Sequence, residues 1–212
     1  MSRKRVLCFG DSNTWGYDPR SLGRYPEDVR WTGRMATALG PAYQVIEEGV
    51  NGRTTIYDYK DRFGKNGREY LRPCMDSHFP LDVMFLWLGT NDTKVEFAQS
   101  AEQIAAGMED CVAIALGKQI DRPSPNLKLV VVAPPIVDER HLGSYDKLVG
   151  AEPKTRALPA LFRAIADRHH SRFFDLTTLV APSAVDGCHL DPDAHAAIAV
   201  AFTAIVRELA PG

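Results

Sequence analysis

The 212-residue sequence contains few cysteines and carries almost no net charge. Its four cysteines are widely separated and form no C-x-x-C pair, which argues against both a zinc site and a dense disulfide framework. We therefore expect reduced thiols and a cytoplasmic protein. The formal net charge is -2, from 25 basic and 27 acidic residues, so no overall field favours nucleic acid or an anionic membrane as a partner.

Long apolar runs are also missing. The N-terminus has three basic residues and then only a four-residue apolar run before Asp11, which is too short for the apolar region of a signal peptide. No segment approaches the ~18 apolar residues that a membrane-spanning helix requires. Hydrophobic residues make up 45% and charged residues 25%, which is typical of a globular protein, and we expect one domain over residues 1–212.

Short apolar runs rich in β-forming residues alternate with segments of helical periodicity. This alternation predicts an α/β fold, a three-layer α/β/α sandwich around a five-stranded parallel sheet, with the functional site beyond the carboxyl ends of the strands. A capping box at Ser100 and Gln103 predicts the start of one helix, and Asp191 is the predicted cap of the last. The predicted strands are 6–9, 44–47, 83–88, 127–133 and 173–175. The last predicted helix is 192–209, and two further helices are predicted at 29–39 and 154–169.

Two connections, 52–80 and 136–153, are predicted to be long loops. Loops longer than about 12–15 residues in a compact domain are usually functional or flexible. Surface insertions or subunit contacts explain them equally well, because loops vary freely.

Four polar segments lie at the ends of predicted strands or just before the last helix. FGDSNTWG places Ser12 at a strand-to-helix junction, where unpaired backbone N–H groups favour negative charge. VNGRTT and GTND place Gly52 and Asn91 after the second and third strands, where a backbone N–H and a side-chain amide can hold a developing oxyanion. DGCHL places Asp186 three residues before His189, so that the two can share one turn.

Each segment alone has a simpler interpretation. Gly-Asp-Ser can be an ordinary turn, Gly52 a loop glycine with positive φ, and Asn91 a residue that satisfies turn backbone. An exposed Asp and His would also fit the fourth segment. Together, however, the four supply a nucleophile, a base, an orienting carboxylate and oxyanion donors, which acyl transfer by a serine requires. The absence of G-x-S-x-G excludes the usual α/β-hydrolase elbow as the template.

The chain resembles the SGNH, or GDSL, hydrolases, most closely their bacterial arylesterase and acyltransferase branch. RVLCFGDSNTWG, RWTG, VIEEGVNGRTT, LGTNDTK and DGCHL carry the resemblance, which spans the whole chain. It implies a flavodoxin-like fold with Ser12 as nucleophile, Asp186 and His189 as acid and base, and the Ser12 N–H, Gly52 and Asn91 as oxyanion hole. It further implies a homo-oligomeric, cytoplasmic-type esterase for small-molecule, short-chain acyl esters, without metal or cofactor, in which some members transfer the acyl group to alcohols or peroxide.

Neighbouring residues are predicted to shape substrate binding. Trp15 follows Ser12 by one helical turn and either lines the pocket or packs in the core. Arg53 and Thr90 flank the oxyanion donors and could shape the entrance. Asn13 follows the nucleophile, and Asp11 is expected to stabilise the turn that presents Ser12, with no part as the triad acid.

Other functions stay open. A lipid-directed thioesterase or lysophospholipase would use the same triad, although the sequence has no extended apolar segment for a long acyl chain. Hydrolysis of acetylated sugars would suit a polar 52–80 loop. A flavodoxin-like nucleotide-binding module would explain glycines at strand ends but would leave Asp186 and His189 unused.

Overall fold

A computed structural model describes residues 3–117, 124, 126–143 and 146–212. The strands are β1 Lys4–Gly10, β2 Tyr43–Gly49, β3 Val83–Trp87, β4 Lys128–Ala133 and β5 Arg172–Asp175. They form one parallel sheet in the order β2-β1-β3-β4-β5, which confirms the predicted fold class. The order reverses direction at β1, so a crevice opens beyond the carboxyl ends of β1 and β3.

Helices cover both faces of this sheet. All five residues of β3 are buried, as expected for a parallel strand with helices on both sides. The helices are α1 Ser12–Trp15, α2 Trp31–Leu39, α3 Gly67–His78, α4 Ala101–Ala115, α5 Ala151–Arg168 and α6 Pro192–Leu209. One core cluster joins the sheet to α3, α4 and α5, and a second joins it to α2 and α6.

The predicted 52–80 loop is wrong in its second half, where α3 lies. Asn66 caps α3 by accepting a hydrogen bond from the Glu69 N–H. Sequence patterning misses this helix because most of its residues are polar and Pro73 lies inside it. Only Leu71, Cys74 and Met75 among its larger side chains are buried, which leaves a narrow apolar stripe.

The second long connection also contains local structure. Short 3-10 turns cover Glu139–His141 and Asp146–Leu148, and α5 begins at Ala151, three residues before its predicted start. Residues 144 and 145 lie outside the described residues.

Helix capping follows the prediction at α4 and departs from it at α6. The Ser100 and Gln103 capping box is present. Asp191 occupies the N-cap position of α6, but its side chain caps no helix N–H; it accepts hydrogen bonds from Arg20 and Ser183 instead. The sequence conceals this because Arg20 is remote in the chain.

The four cysteines are free and buried. None of the helices in the described ranges combines the length and apolar character needed to cross a membrane.

Candidate active site

A cavity of about 540 Å³ opens beyond the carboxyl ends of β1 and β3. Its walls include Ser12, Gly52, Asn91, Asp186 and His189, so the four polar segments meet there. A larger groove of about 690 Å³ lies between α2 and α6, but it is lined by none of these five residues. We therefore place the candidate site in the smaller cavity.

Ser12, His189 and Asp186 form a continuous hydrogen-bonded chain. The His189 Nε2 atom is 2.9 Å from the Ser12 Oγ atom, and its Nδ1 atom is 2.5 Å from Asp186 Oδ2. Asp186 Oδ1 accepts the backbone N–H groups of Cys188 and His189, each at 3.0 Å. Burial opposes ionisation of Asp186, but the hydrogen bond and charge of His189 outweigh it and lower the pKa of the carboxyl. The imidazole is thus held with Nε2 directed at the serine.

The turn that carries Asp186 and His189 requires a glycine. Gly187 has a φ of 66°, and a Cβ atom added there would lie 2.1 Å from the Asp138 carbonyl oxygen. The Gly187 carbonyl also accepts the Asp138 N–H at 2.8 Å. This contact fixes the turn against the segment that follows β4.

Ser12 begins a four-residue helix directly after β1. Asp11 caps this helix by accepting the Asn13 N–H at 2.9 Å, which is the turn-stabilising contact expected of it. The Asn13 side chain donates to the Cys188 carbonyl at 3.3 Å, so it connects the serine turn to the His189 segment. The Trp31 indole N–H donates a hydrogen bond to the Asn13 carbonyl.

Gly52 and Asn91 line the cavity beside Ser12. Gly52 has a φ of 83°, and a Cβ atom there would lie 2.6 Å from the Arg62 Nη2 atom, so a side chain would push Arg62 aside. The Asn91 amide donates to the Arg53 carbonyl at 3.1 Å and to Asp11 at 3.4 Å. These two hydrogen bonds orient the Asn91 amide.

The chain also matches known proteins. Residues 8–197 match the GDSL-like lipase/acylhydrolase family. The chain belongs to this family. A comparison with curated protein sequences gives no match.

Several solved structures share the fold over nearly the whole chain. Est24, a carbohydrate acetylesterase from Sinorhizobium meliloti, is 36% identical with a TM-score of 0.90 and covers 98% of this chain and 100% of its own. The native aryl esterase of M. smegmatis is 38% identical with a TM-score of 0.90, covering 97% of this chain and 99% of its own. A second carbohydrate acetylesterase family member from Sinorhizobium meliloti is 33% identical with a TM-score of 0.91, covering 97% and 98%.

Three buried ionisable residues, Asp11, Arg53 and Asp92, lie next to the candidate site. Burial raises the pKa of Asp11 and of Asp92 to about 6 in each case. Asp92 accepts the backbone N–H and the hydroxyl of Thr55. Arg53 donates to the carbonyls of Gly10 and Glu48, and its guanidinium lies over the Phe9 ring. We call Asp11, Arg53, Thr55 and Asp92 the polar layer. Their contacts join β1, β2 and the segment after β3.

The predicted substrate-binding residues lie in the polar layer or at its edge. None of Asp11, Asn13, Trp15, Arg53 and Thr90 is among the described residues that line the cavity. Arg53 and Thr90 are buried, and Trp15 packs against Tyr17 and under Arg24. We therefore correct the expected position of Arg53 and Thr90, which are buried away from the cavity wall and do not form its entrance. Asp11 keeps its expected contact in the serine turn.

Sequence reasoning missed several residues that line the cavity. The cavity's apolar side includes Tyr17, whose ring centroid is 4.2 Å from that of His189, together with Leu22 and Val185. Arg62 and Lys94 also line it. Lys94 lies within the quoted LGTNDTK segment, so its nearness to Asn91 was a usable signal.

Glu48, Cys74 and His78 present an oxygen, a sulfur and a nitrogen within 4.8 Å of one another, as a metal site would. They lie outside the cavity lined by Ser12 and His189. His78 already contacts Glu48 at 3.0 Å, and the positive charge of Arg53 acts on both Glu48 and Cys74. Glu48 and His78 thus have each other as partners.

Proposed function

We propose that this chain hydrolyses short-chain acyl esters of small molecules, with Ser12 as nucleophile, His189 as general base and Asp186 as orienting carboxylate. The observation that carries the proposal is the 2.9 Å contact between Ser12 Oγ and His189 Nε2 at the wall of a cavity. The His189 contact to Asp186 favours the tautomer in which Nε2 is free to accept the serine proton.

In the first half of the reaction, His189 removes the Ser12 proton while Oγ forms a bond to the ester carbonyl carbon. The carbonyl π electrons move to oxygen and give a tetrahedral oxyanion. As this intermediate collapses, the bond to the alcohol oxygen breaks and that oxygen takes the proton from His189. In the second half, water loses a proton to His189, attacks the acyl-enzyme and releases the acid, and Ser12 regains its proton.

We assign the oxyanion hole to the Ser12 and Gly52 N–H groups and the Asn91 amide. Asn91 has two amide hydrogens, and the longer contact, 3.4 Å to Asp11, is the weaker of its two hydrogen bonds. An oxyanion can replace Asp11 at that hydrogen while the Arg53 carbonyl keeps the amide in place. Donors fixed in advance pay little reorganisation when charge develops on the substrate.

The size of the cavity favours a small substrate. About 540 Å³ is within the range of about 300–1,000 Å³ typical of small-molecule sites. Similarity to aryl esterases and carbohydrate acetylesterases supports acetyl-type esters of aryl, alkyl or sugar alcohols. Both the lipid-directed and the nucleotide-binding alternatives are less well supported, since the first needs a longer apolar channel and the second leaves the triad idle.

We extend the proposal to acyl transfer, location and assembly. An alcohol or peroxide in place of water would resolve the acyl-enzyme by the same proton transfers through His189. Four buried, free cysteines are consistent with the expected cytoplasmic location. Sedimentation equilibrium tests the expected homo-oligomer, and a single species of 23.5 kDa would contradict it.

A p-nitrophenyl ester series from acetate to palmitate tests the function. We expect the highest kcat/KM for acetate or butyrate and no activity above background for Ser12→Ala. Equal folding of the two proteins is checked by circular dichroism. Wild-type rates no higher than those of Ser12→Ala on every ester would refute the esterase proposal, and a maximum at palmitate would favour the lipid-directed alternative.

A further inference from the structure

Two basic residues lie at the wall of the candidate active site. Arg62 and Lys94 line the same cavity as Ser12 and His189. Arg62 lies against Gly52, since a Cβ atom on that glycine would be 2.6 Å from its Nη2 atom. Lys94 follows Asn91 by three residues, and its backbone N–H donates to the Asn91 carbonyl at 3.3 Å. Both cations therefore adjoin residues that we assign to the oxyanion hole.

Tyr59 links the two cations to each other and to Gly52. Its hydroxyl donates to the Gly52 carbonyl at 2.8 Å and accepts a hydrogen bond from Lys94 Nζ at 2.9 Å. The Arg62 guanidinium lies 4.7 Å from the centre of the Tyr59 ring, and Lys94 Nζ lies 5.1 Å from it. One aromatic residue thus contacts both charges.

No carboxylate is paired with either cation within the described ranges. Arg62 donates to the Asn51 carbonyl, and Lys94 makes one side-chain hydrogen bond, to Tyr59. An ammonium group has three N–H donors, so Lys94 has two left for a ligand. Asp186 is the acidic residue of the cavity wall, and it is committed to His189.

Lys94 is only 1% exposed, although it carries a charged group. Burial, with the neighbouring positive charges of Arg62 and Lys147, lowers its pKa to about 8, and exposed Glu96 offsets this only in part. A buried cation next to a second cation is costly unless an anion joins them. The cavity therefore has an apolar side near Tyr17 and Leu22 and a positively charged side near Gly52.

We propose that the ester bound here carries an anionic group, such as a carboxylate, held by Lys94 and Arg62. This inference rests on the proposed function and narrows its substrate class to small anionic esters. An ester places one group on the acyl side and one on the alcohol side of the carbonyl, and a carboxylate on either side could reach the two cations. Charge-assisted hydrogen bonds to it would be stronger than those to a neutral ester.

Matched pairs of esters test the proposal on each side. On the alcohol side, 4-acetoxybenzoate is compared with neutral 4-acetoxybenzamide. On the acyl side, monoethyl succinate is compared with neutral ethyl succinamate. Rates are measured by pH-stat at pH 7, and the rate with Ser12→Ala is subtracted. We expect the anionic member to have about tenfold higher kcat/KM in at least one pair. A ratio of one or less in both pairs would overturn the proposal.

Variants identify the cations responsible. Lys94→Met and Arg62→Gln should each bring the anionic-to-neutral ratio down severalfold, and added salt should lower the wild-type ratio. Lys60→Met is the matched control, because Lys60 is exposed and lies outside the cavity wall. This substitution changes the net charge by the same amount as Lys94→Met. A merely structural role would lower the rates for both esters and leave the ratio unchanged, which would also overturn the proposal.

Failure of this inference can be told apart from failure of the esterase proposal. Wild-type activity on p-nitrophenyl acetate above that of Ser12→Ala supports the esterase even when both ester pairs give a ratio of one. If Lys94→Met fails to fold, Arg62→Gln provides the same test, because Arg62 is only half-buried.

Discussion

The His189 segment and the polar layer next to Ser12 shift the pKa values of their carboxyl groups in opposite directions. In the His189 segment, a neighbouring imidazole and two backbone N–H groups lower the pKa of Asp186. In the polar layer, burial dominates and raises the pKa of Asp11 and Asp92 to about 6. The first region thus keeps the charge that the proposed triad requires, and the second holds the backbone in place at an electrostatic cost.

The largest effect is expected from Asp186→Asn. The amide cannot stabilise an imidazolium and favours the wrong tautomer, so kcat should fall by about 10³–10⁴ with the fold retained. Steady-state kinetics on p-nitrophenyl acetate measure this. Exposed Asp193→Asn is the matched control and should keep wild-type kcat. A loss below tenfold in Asp186→Asn would remove Asp186 from the triad.

Asn91→Ala should have the next largest effect. Removing one oxyanion donor typically costs about 10²–10³ in turnover. Since Asn91 lines the cavity and its amide is pre-positioned by Arg53, the loss should appear in kcat more than in KM. Activity within a factor of two of wild type would rule Asn91 out of the oxyanion hole.

Gly187→Ala tests the turn that carries Asp186 and His189. The positive φ and the 2.1 Å approach to the Asp138 carbonyl should cost roughly 1–3 kcal/mol of unfolding free energy and displace His189. Urea denaturation measures the loss. Gly150→Ala is the control, since Gly150 also has a positive φ but no atom within 4 Å of the added Cβ. Equal losses in the two variants would show that the Asp138 contact is unimportant.

The effect expected in the polar layer is confined to a limited pH interval. The folded-state pKa of Asp92 is raised from 3.8 to about 6, so the folded state binds the proton more tightly than the unfolded state. Its contribution to unfolding free energy therefore falls as pH rises from about 4 to about 6 and is constant above that. Asp92→Asn should abolish this fall, gaining up to about 3 kcal/mol on wild type across the interval.

Urea denaturation at several pH values between 4 and 7 measures this gain. Exposed Asp193→Asn should give a curve parallel to that of wild type. If the difference in unfolding free energy between Asp92→Asn and wild type does not change with pH, the pKa of Asp92 is not raised in the folded protein.

Local sequence patterns were sufficient for the sheet and for the residues that converge on the cavity. Each strand contains a short apolar run, and Ser12, Gly52 and Asn91 follow the ends of β1, β2 and β3 within four residues. Asp186 and His189 are three residues apart, a spacing that allows the contact found between them. These features depend on neighbours in the chain, which a single sequence reveals.

Features that depend on distant residues were not predictable. Helix α3 buries few large side chains, so its period is weak, and Asp191 finds its partners in Arg20 and Ser183. The meeting of Arg62 and Lys94 at Tyr59 depends on the path of the 52–66 segment. Arg53 was predicted near the entrance, but its backbone carbonyl instead accepts a hydrogen bond from the Asn91 amide.

Trapping of the acyl-enzyme tests the central claim most directly. The protein is mixed with p-nitrophenyl acetate, quenched in acid during turnover, digested and analysed by mass spectrometry. We predict one acetyl group on the peptide that contains Ser12, coincident with a stoichiometric burst of p-nitrophenol, and neither signal in Ser12→Ala. Turnover of the ester with the acetyl group on another residue, or undiminished turnover in Ser12→Ala, would contradict the account.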